Sequence, residues 1–530
     1  MSSHSASTSF TGALATPHTL ATEAGLRAYR DGGNAIDAAI VAAAVLTVVY
    51  PHNVALGGDL IALVRTPDGE IRCVNASGWA GAAVDAAGLR ARHGGWLPAR
   101  GADAVTVPGG VRGWEVLRRF GARLTWDRTL RAAEAAARAG ADVAPSLAAH
   151  IADAENADLF GTEDFDRVFR PEGRALRARE NFMQPALADT FATLREEGAD
   201  ALYEGSLAER SVGYLRSHGS SLTLDDFAVF RPETVEPISV AFRGLTVLTS
   251  PPNTHGFLLL RAMRAVDELG ITDPLGDGLG VLMRVFHRGN ELRASHLADP
   301  RHVDVDVAAL VNEGLAETAA LGAAQSGPAL VPHGDTVGVA AADDDGYAVS
   351  LIQSVYHAFG SGLIDPATGI LFHNRGTGFS LDDASPNVIA PRKRPAHTLM
   401  PVMTTYRGRP RHVLATMGGQ GQPQILTQVL LRALGGAGAE AAVSDPRAVV
   451  GLQADGGTAD SVTAEADLLA VARASIGRAG LASTEVAPHT ESLGHANVVF
   501  ADDSGSMTAA ADPRSDGAAV VAHYPRFANP

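Results

Sequence analysis

The chain has 530 residues and a formal net charge of -16 at pH 7, with 46% hydrophobic and 19% charged residues. That balance describes a folded protein with a large core and excludes a disordered chain. The acidic excess speaks against nucleic acid or an anionic membrane as a partner, because both call for clustered Lys and Arg. A single cysteine, Cys73, rules out an internal disulfide and a cysteine-based metal site.

The opening MSSHSASTSF has neither a basic n-region nor an apolar h-region, so the cytoplasm is the expected compartment. A helix is predicted from about Leu20 to Arg30, stopped at Gly32 and Gly33. Asn34 then caps a second helix, AIDAAIVAAAVLTVV, which is apolar on nearly every face and must be buried. The longest apolar run, Ala38 to Tyr50, is too short to span a bilayer and is bounded by Asp37 and Pro51. From Asn53 to Ser77 the pattern reads as a glycine-kinked strand, a turn at Pro67 to Gly69, and a returning strand.

Residues from about Arg112 to Gly270 read as mainly helical, with alanine-rich amphipathic stretches such as RTLRAAEAAARAGADVA. The segment GAAQSGPALVPHGD is rich in Gly, Ala and Pro and reads as a loop. It leads into two predicted strands, Val337 to Ala342 and Tyr347 to Ser354, joined across Asp345 and Gly346 as a hairpin. Further strands are expected at Ile370 to His373, His412 to Thr416 and Asn497 to Ala501. No internal repeat is visible, and the order fits helical layers around a sheet core.

Thr336 stands at the tip of the first hairpin strand, behind the flexible approach. Freed as an N-terminus, a threonine carries its own catalytic pair: the hydroxyl attacks a carbonyl, and the α-amine, with a reference pKa of about 7.7 to 8.0, takes the proton. Gly418 and Gly419 lie between the strand RHVLAT and a helix starting near Pro423. Adjacent glycines let backbone N–H groups face a ligand, and a following helix N-terminus favours a developing oxyanion. Other chemistries find no support: DDDG at 343–346 lacks EF-hand spacing, HExxH is absent, and GDGLG near 276 does not follow a strand. No cofactor and no metal are expected.

Nine segments in order, DGGNAIDAAI, LYEG, LDDFAVFRPE, SPPNTHG, GDTVGVAAADDDGYAVSLIQS, FGSGLIDPATGILFHNRG, APRKRPAHTLMP, ATMGGQGQPQ and ADPRSDGAA, together resemble the γ-glutamyltransferase family of N-terminal nucleophile (Ntn) hydrolases. The resemblance runs from about Ala15 to Ala519. It implies an αββα sandwich of the α+β class, made as an inactive precursor that cuts itself between Asp335 and Thr336. The two chains, 1–335 and 336–530, would form one intertwined unit. It further implies that Thr336 is the nucleophile, that Gly418 and Gly419 are the oxyanion donors, and that Ser354 is the hydroxyl beside the nucleophile. His397 and Thr398 occupy the positions of a serine pair that holds the substrate carboxylate in glutamyl-specific members.

Two departures bear on specificity. The acid that grips a substrate α-amine in the family falls at Gly378, and the arginine that grips the α-carboxylate, expected soon after Asn75, is missing from ASGWAGAAVDAAG. Arg375 and Asn374, in the motif NRG, are the substitute substrate-binding residues, because a guanidinium holds a carboxylate or oxo acid through two bonds. The NRG variant resembles the branch that includes oxamate amidohydrolase-like and cephalosporin acylase-like members. The expected activity is cleavage of a small amide or acyl substrate through a threonyl ester, the acyl group passing to water or to an amine. The alternatives are a true γ-glutamyltransferase or glutathione hydrolase, a carbon–carbon bond hydrolase of an oxo acid, and an inactive relative that only binds. Expected partners are the small-molecule substrate and the two chains of one precursor, with a higher oligomer left open.

Overall fold

In this computed structural model the chain is described over residues 9–319, 335–452 and 458–525. The approach loop read before Thr336 lies almost wholly outside these residues. Two sheets form the centre. The first has seven strands in the order Ala518–Pro525, Ser9–Thr16, Asp335–Asp343, Ala348–Tyr356, Asp59–Arg65, Ile71–Ala76 and Glu233–Val235. The second has six, in the order Met507–Ala511, Ala496–Ala501, Arg409–Thr416, Val402–Tyr406, Leu245–Thr249 and Ile238–Phe242.

Side chains on successive strand residues point to opposite faces, so a strand covered on both sides must be apolar throughout. Asp335–Asp343 and Ala348–Tyr356 are buried at every residue, and their apolar run is broken by Thr336, Ser350, Gln353 and Ser354 and by an aspartate at each end of the first strand. One face of each sheet packs against the other sheet, through Ile61, Leu63, Ala340, Ile352, Met403, Val413 and Val499. The outer face of the first sheet is covered by helices including Ala35–Val49, Trp126–Ala139 and Pro185–Glu197. The outer face of the second is covered by Phe257–Glu268, Leu279–His296, Gln422–Leu434 and Ala466–Arg478. The result is the expected αββα sandwich.

Ala35–Val49 is buried along its whole length, as its composition requires. Asn34 closes a capping box with Asp37 at its start. Asp343, at the far end of the Thr336 strand, accepts the Ala35 N–H at 2.8 Å and so ties this helix to the strand. The sheets approach closely at Gly338, where an added Cβ would lie 2.7 Å from the Ala415 carbonyl carbon and the Thr416 nitrogen. Asn497 bridges the same point by donating to the Gly338 carbonyl at 3.1 Å.

One expectation is extended and another corrected. The region 112–270, mainly helical as read, also holds strands: Glu233–Val235 forms an edge of the first sheet, and the hairpin Ile238–Phe242 with Leu245–Thr249 closes one side of the second. Ile370 to His373 is not a ladder strand. Leu371 and Phe372 make only isolated bridges, to Ile364 and Gly57, because this segment lies across the rim of the first sheet. No described helix is long and apolar enough to cross a membrane.

Candidate active site

Thr336 sits one residue into a central strand and is fully buried. Its hydroxyl donates to the Ser354 Oγ at 3.2 Å, and its carbonyl accepts from the Asn53 side chain at 3.3 Å. Ser354 is presented from the neighbouring strand, where the register shifts between Gln353 and Tyr356. That bulge carries Tyr356 to a φ of 82°, a left-handed conformation seldom adopted by an aromatic residue and the kind of irregularity that re-aims side chains. The Ser354 hydroxyl accepts the Tyr356 N–H at 2.7 Å and donates to the Asp335 carbonyl oxygen at 2.6 Å. Its one proton and both lone pairs are therefore in use. The carbonyl it holds belongs to the peptide bond that joins Asp335 to Thr336.

Gly418 and Gly419 follow the strand Arg409–Thr416 and open a 3-10 turn, Gly419–Gly421, that runs into the helix Gln422–Leu434. Their φ angles are 135° and 48°, a region that favours glycine. At Gly418 an added Cβ would also lie 2.3 Å from the Ile425 side chain. Both residues are buried, yet neither backbone N–H takes a hydrogen-bond partner among the described residues. Buried N–H groups are nearly always paired, so this turn has donor capacity for a ligand. The turn is held from outside by Arg293, whose guanidinium donates to the Gln420 side chain and, at 3.5 Å, to its carbonyl.

Arg375 is fully buried above the Tyr356 ring, 3.7 Å from its centroid, and donates to the Thr398 hydroxyl at 3.2 Å. Its Nε and second terminal nitrogen have no hydrogen-bond partner. Among the described residues neither Arg375 nor Arg293 forms an ion pair. Burial pulls each guanidinium down to a pKa of about 10, and both remain cations near neutral pH.

His397, placed by the resemblance at a substrate-carboxylate position, is engaged by the protein. It is buried, its Nδ1 accepts the Leu399 N–H at 3.2 Å, and its Nε2 therefore donates to Asp59 at 3.1 Å. Burial and the nearby Arg375 push its pKa down to about 3, so the ring is neutral. Both ring nitrogens are thus engaged by the protein. Asn374 is similarly occupied, donating to the Ala99 carbonyl at 2.8 Å and accepting the His357 N–H at 3.1 Å. The free donors of this pocket are those of Arg375, with Thr398 beside it.

Sequence reasoning missed Asp59, Arg293, Tyr356 and Asn53. Asp59 is fully buried and accepts the N–H groups of Gly78 and Gly109 at 3.1 and 3.3 Å, as well as His397. Burial alone would raise its pKa, but His373 and His397 more than offset that and hold it below the ordinary carboxylate value. An acid opening an otherwise apolar strand, as in DLIALV, was the available signal. Gly378 leaves no room for an acid, since a Cβ there would lie 2.8 Å from the Ala396 carbonyl oxygen. Trp79, where an arginine was sought, packs edge-on against Phe230 with Arg301 over its ring.

Comparison with known families settles the class. The family model described as gamma-glutamyltranspeptidase matches residues 21–522, nearly the whole chain. The protein belongs to the γ-glutamyltranspeptidase family. It is 36% identical over 521 residues to the glutathione hydrolase-like YwrD proenzyme of Bacillus subtilis (strain 168), covering 96% of this chain and 98% of that one. It is 35% identical over 532 residues to the oxamate amidohydrolase proenzyme of Klebsiella pneumoniae, covering 98% and 99%. A crystal structure of cephalosporin acylase from Bacillus halodurans superposes with a TM-score of 0.88 at 31% identity, covering 98% of this chain and 97% of that one. As a γ-glutamyltranspeptidase family member this protein is an enzyme with the α+β fold of the Ntn hydrolases.

Proposed function

We propose that Thr336 is the nucleophile, first of its own maturation and then of catalysis. The observation that carries this reading is the Ser354 hydroxyl, which bonds at once to the Thr336 hydroxyl and to the carbonyl of Asp335. In the uncut chain the Thr336 Oγ attacks the Asp335 carbonyl carbon, and Ser354 stabilises the oxygen that gains charge. Collapse expels the Thr336 nitrogen, which takes up the proton given up by the hydroxyl and leaves Asp335 in an ester to the Thr336 oxygen. Water then cleaves the ester, releasing residues 1–335 and a chain beginning at Thr336 with a free α-amine.

In the mature enzyme that amine accepts the Thr336 hydroxyl proton as the oxygen attacks a substrate carbonyl. The unpaired N–H groups of Gly418 and Gly419 take the oxyanion, aided by the helix that follows. The amine returns the proton to the leaving nitrogen, and water or an acceptor amine resolves the threonyl ester. Arg375 holds the acid or oxo group of the acyl portion, because two of its buried nitrogens take no hydrogen-bond partner among the described residues. A γ-glutamyl head would find neither an acid at Gly378 nor an arginine after Asn75. The preferred substrate is therefore a small amide or acyl compound bearing an acid or oxo group but no α-ammonium, in keeping with the name of the oxamate amidohydrolase relative.

The test is a denaturing gel followed by a substrate panel. The 54.8 kDa chain divides at Thr336 into pieces of about 35 and about 20 kDa by residue number, and Thr336→Ala should stay whole. A single wild-type band with full activity would refute the free-amine mechanism. Efficient hydrolysis of glutathione, insensitive to Arg375, would refute the specificity.

A further inference from the structure

A second polar cluster, partly buried, lies beside Asp335. His52 follows the helix Ala35–Val49, His150 lies on the helix Pro145–Ala152, and Glu491 opens the 3-10 turn Glu491–Leu493. One ligand-capable atom from each lies within 4.8 Å of the other two. The bonds around them settle the tautomers. Ser146 Oγ donates to Glu491 at 2.8 Å, so with His52 Nε2, 3.1 Å away, it must act as the acceptor. His52 Nδ1 is then a bare lone pair, and it is buried without a hydrogen-bond partner. His150 Nδ1 donates to the Ser146 carbonyl at 3.0 Å, which leaves its Nε2 for another partner, with the Asp335 carboxylate 3.8 Å away.

We propose that His52, His150 and Glu491 bind one divalent transition-metal ion of the zinc class. Two imidazole nitrogens and one carboxylate are a known donor set for such ions, and the fourth position is open to water or to Asp335. Burying an unpaired nitrogen such as His52 Nδ1 is unfavourable, and a cation removes that cost. Ser146 bonds to both His52 and Glu491, as the outer partners of metal ligands do, and so fixes their orientation. Ligand atoms around tetrahedral zinc stand about 3.3 Å apart, so the cluster must contract by at most about 1.5 Å.

The experiment uses the full chain, stripped with a chelator and titrated with cobalt(II) chloride and then zinc chloride. One equivalent of cobalt should bind with visible d–d absorption, and zinc should displace it. His150→Ala and Glu491→Gln should each weaken zinc binding by at least about tenfold. Glu491→Gln keeps side-chain size at a half-buried turn, so it decides the matter should His150→Ala fail to fold. Substoichiometric binding without absorption, or zinc affinity unchanged in a folded Glu491→Gln protein, would mean an adventitious ion only and would overturn the site.

Discussion

Replacing Arg375 with methionine separates a substrate-holding role from a structural one, because the two roles predict opposite effects on stability. Burial lowers this guanidinium well below its ordinary value, to about 10. At 1.36 kcal/mol for each tenfold change, holding the charge inside costs about 3 kcal/mol relative to water. Stacking on Tyr356 at 3.7 Å returns about 2 kcal/mol. Methionine removes the charge and still packs on the ring, so the protein should gain about 1 kcal/mol or stay level. Binding should suffer: losing one partner of a buried charge pair with the substrate costs about 2 to 5 kcal/mol, or about 30-fold to several thousand-fold in kcat/KM. Thermal unfolding and steady-state kinetics on the processed enzyme, using small oxo-acid amides, give both readings. A loss of stability beyond about 2 kcal/mol with kcat/KM unchanged would show that Arg375 braces the fold and that the anion site lies elsewhere.

The remaining predictions concern the reaction centre and pH. Ser354→Ala should slow both self-cleavage and turnover by about 10²-fold or more, whereas Ser354→Thr, which keeps a hydroxyl, should recover part of each; full self-cleavage of Ser354→Ala on a time-course gel would remove Ser354 from maturation. Gly419→Ala places a side chain at a φ of 48°, straining the turn by about 1 to 2 kcal/mol, and should lower kcat by more than it raises KM; an unchanged kcat would exclude this turn as the oxyanion site. Asp343, raised by burial to about 7, binds a proton more readily folded than unfolded, so its contribution is full below about pH 4 and is lost as pH rises to about 7. Denaturant titrations at pH 5 and pH 8 should show that decline, and it should shrink in Asp343→Asn; an identical pH dependence in the two proteins would refute this assignment.

Much of this protein was decided by local pattern. Asn34 and the apolar run after it specify a capped, fully buried helix, and Asp345 with Gly346 specifies the hairpin whose first strand carries Thr336. The order of short segments gave the family, because glycines, prolines and polar residues at fixed offsets survive as a readable string. The reading of 112–270 as mainly helical held, but it missed a few short strands that have too few residues to declare a period. Only the tertiary structure decided how side chains far apart in sequence share or exclude one another. His397 looked available until Asp59, 338 positions away, was found to hold its ring. Arg375, already a binding candidate from its motif, gained its physical basis only when folding enclosed it over Tyr356 with two nitrogens lacking a hydrogen-bond partner among the described residues. Such relations depend on burial and on where each remaining lone pair and proton goes, and no run of neighbouring residues encodes that accounting.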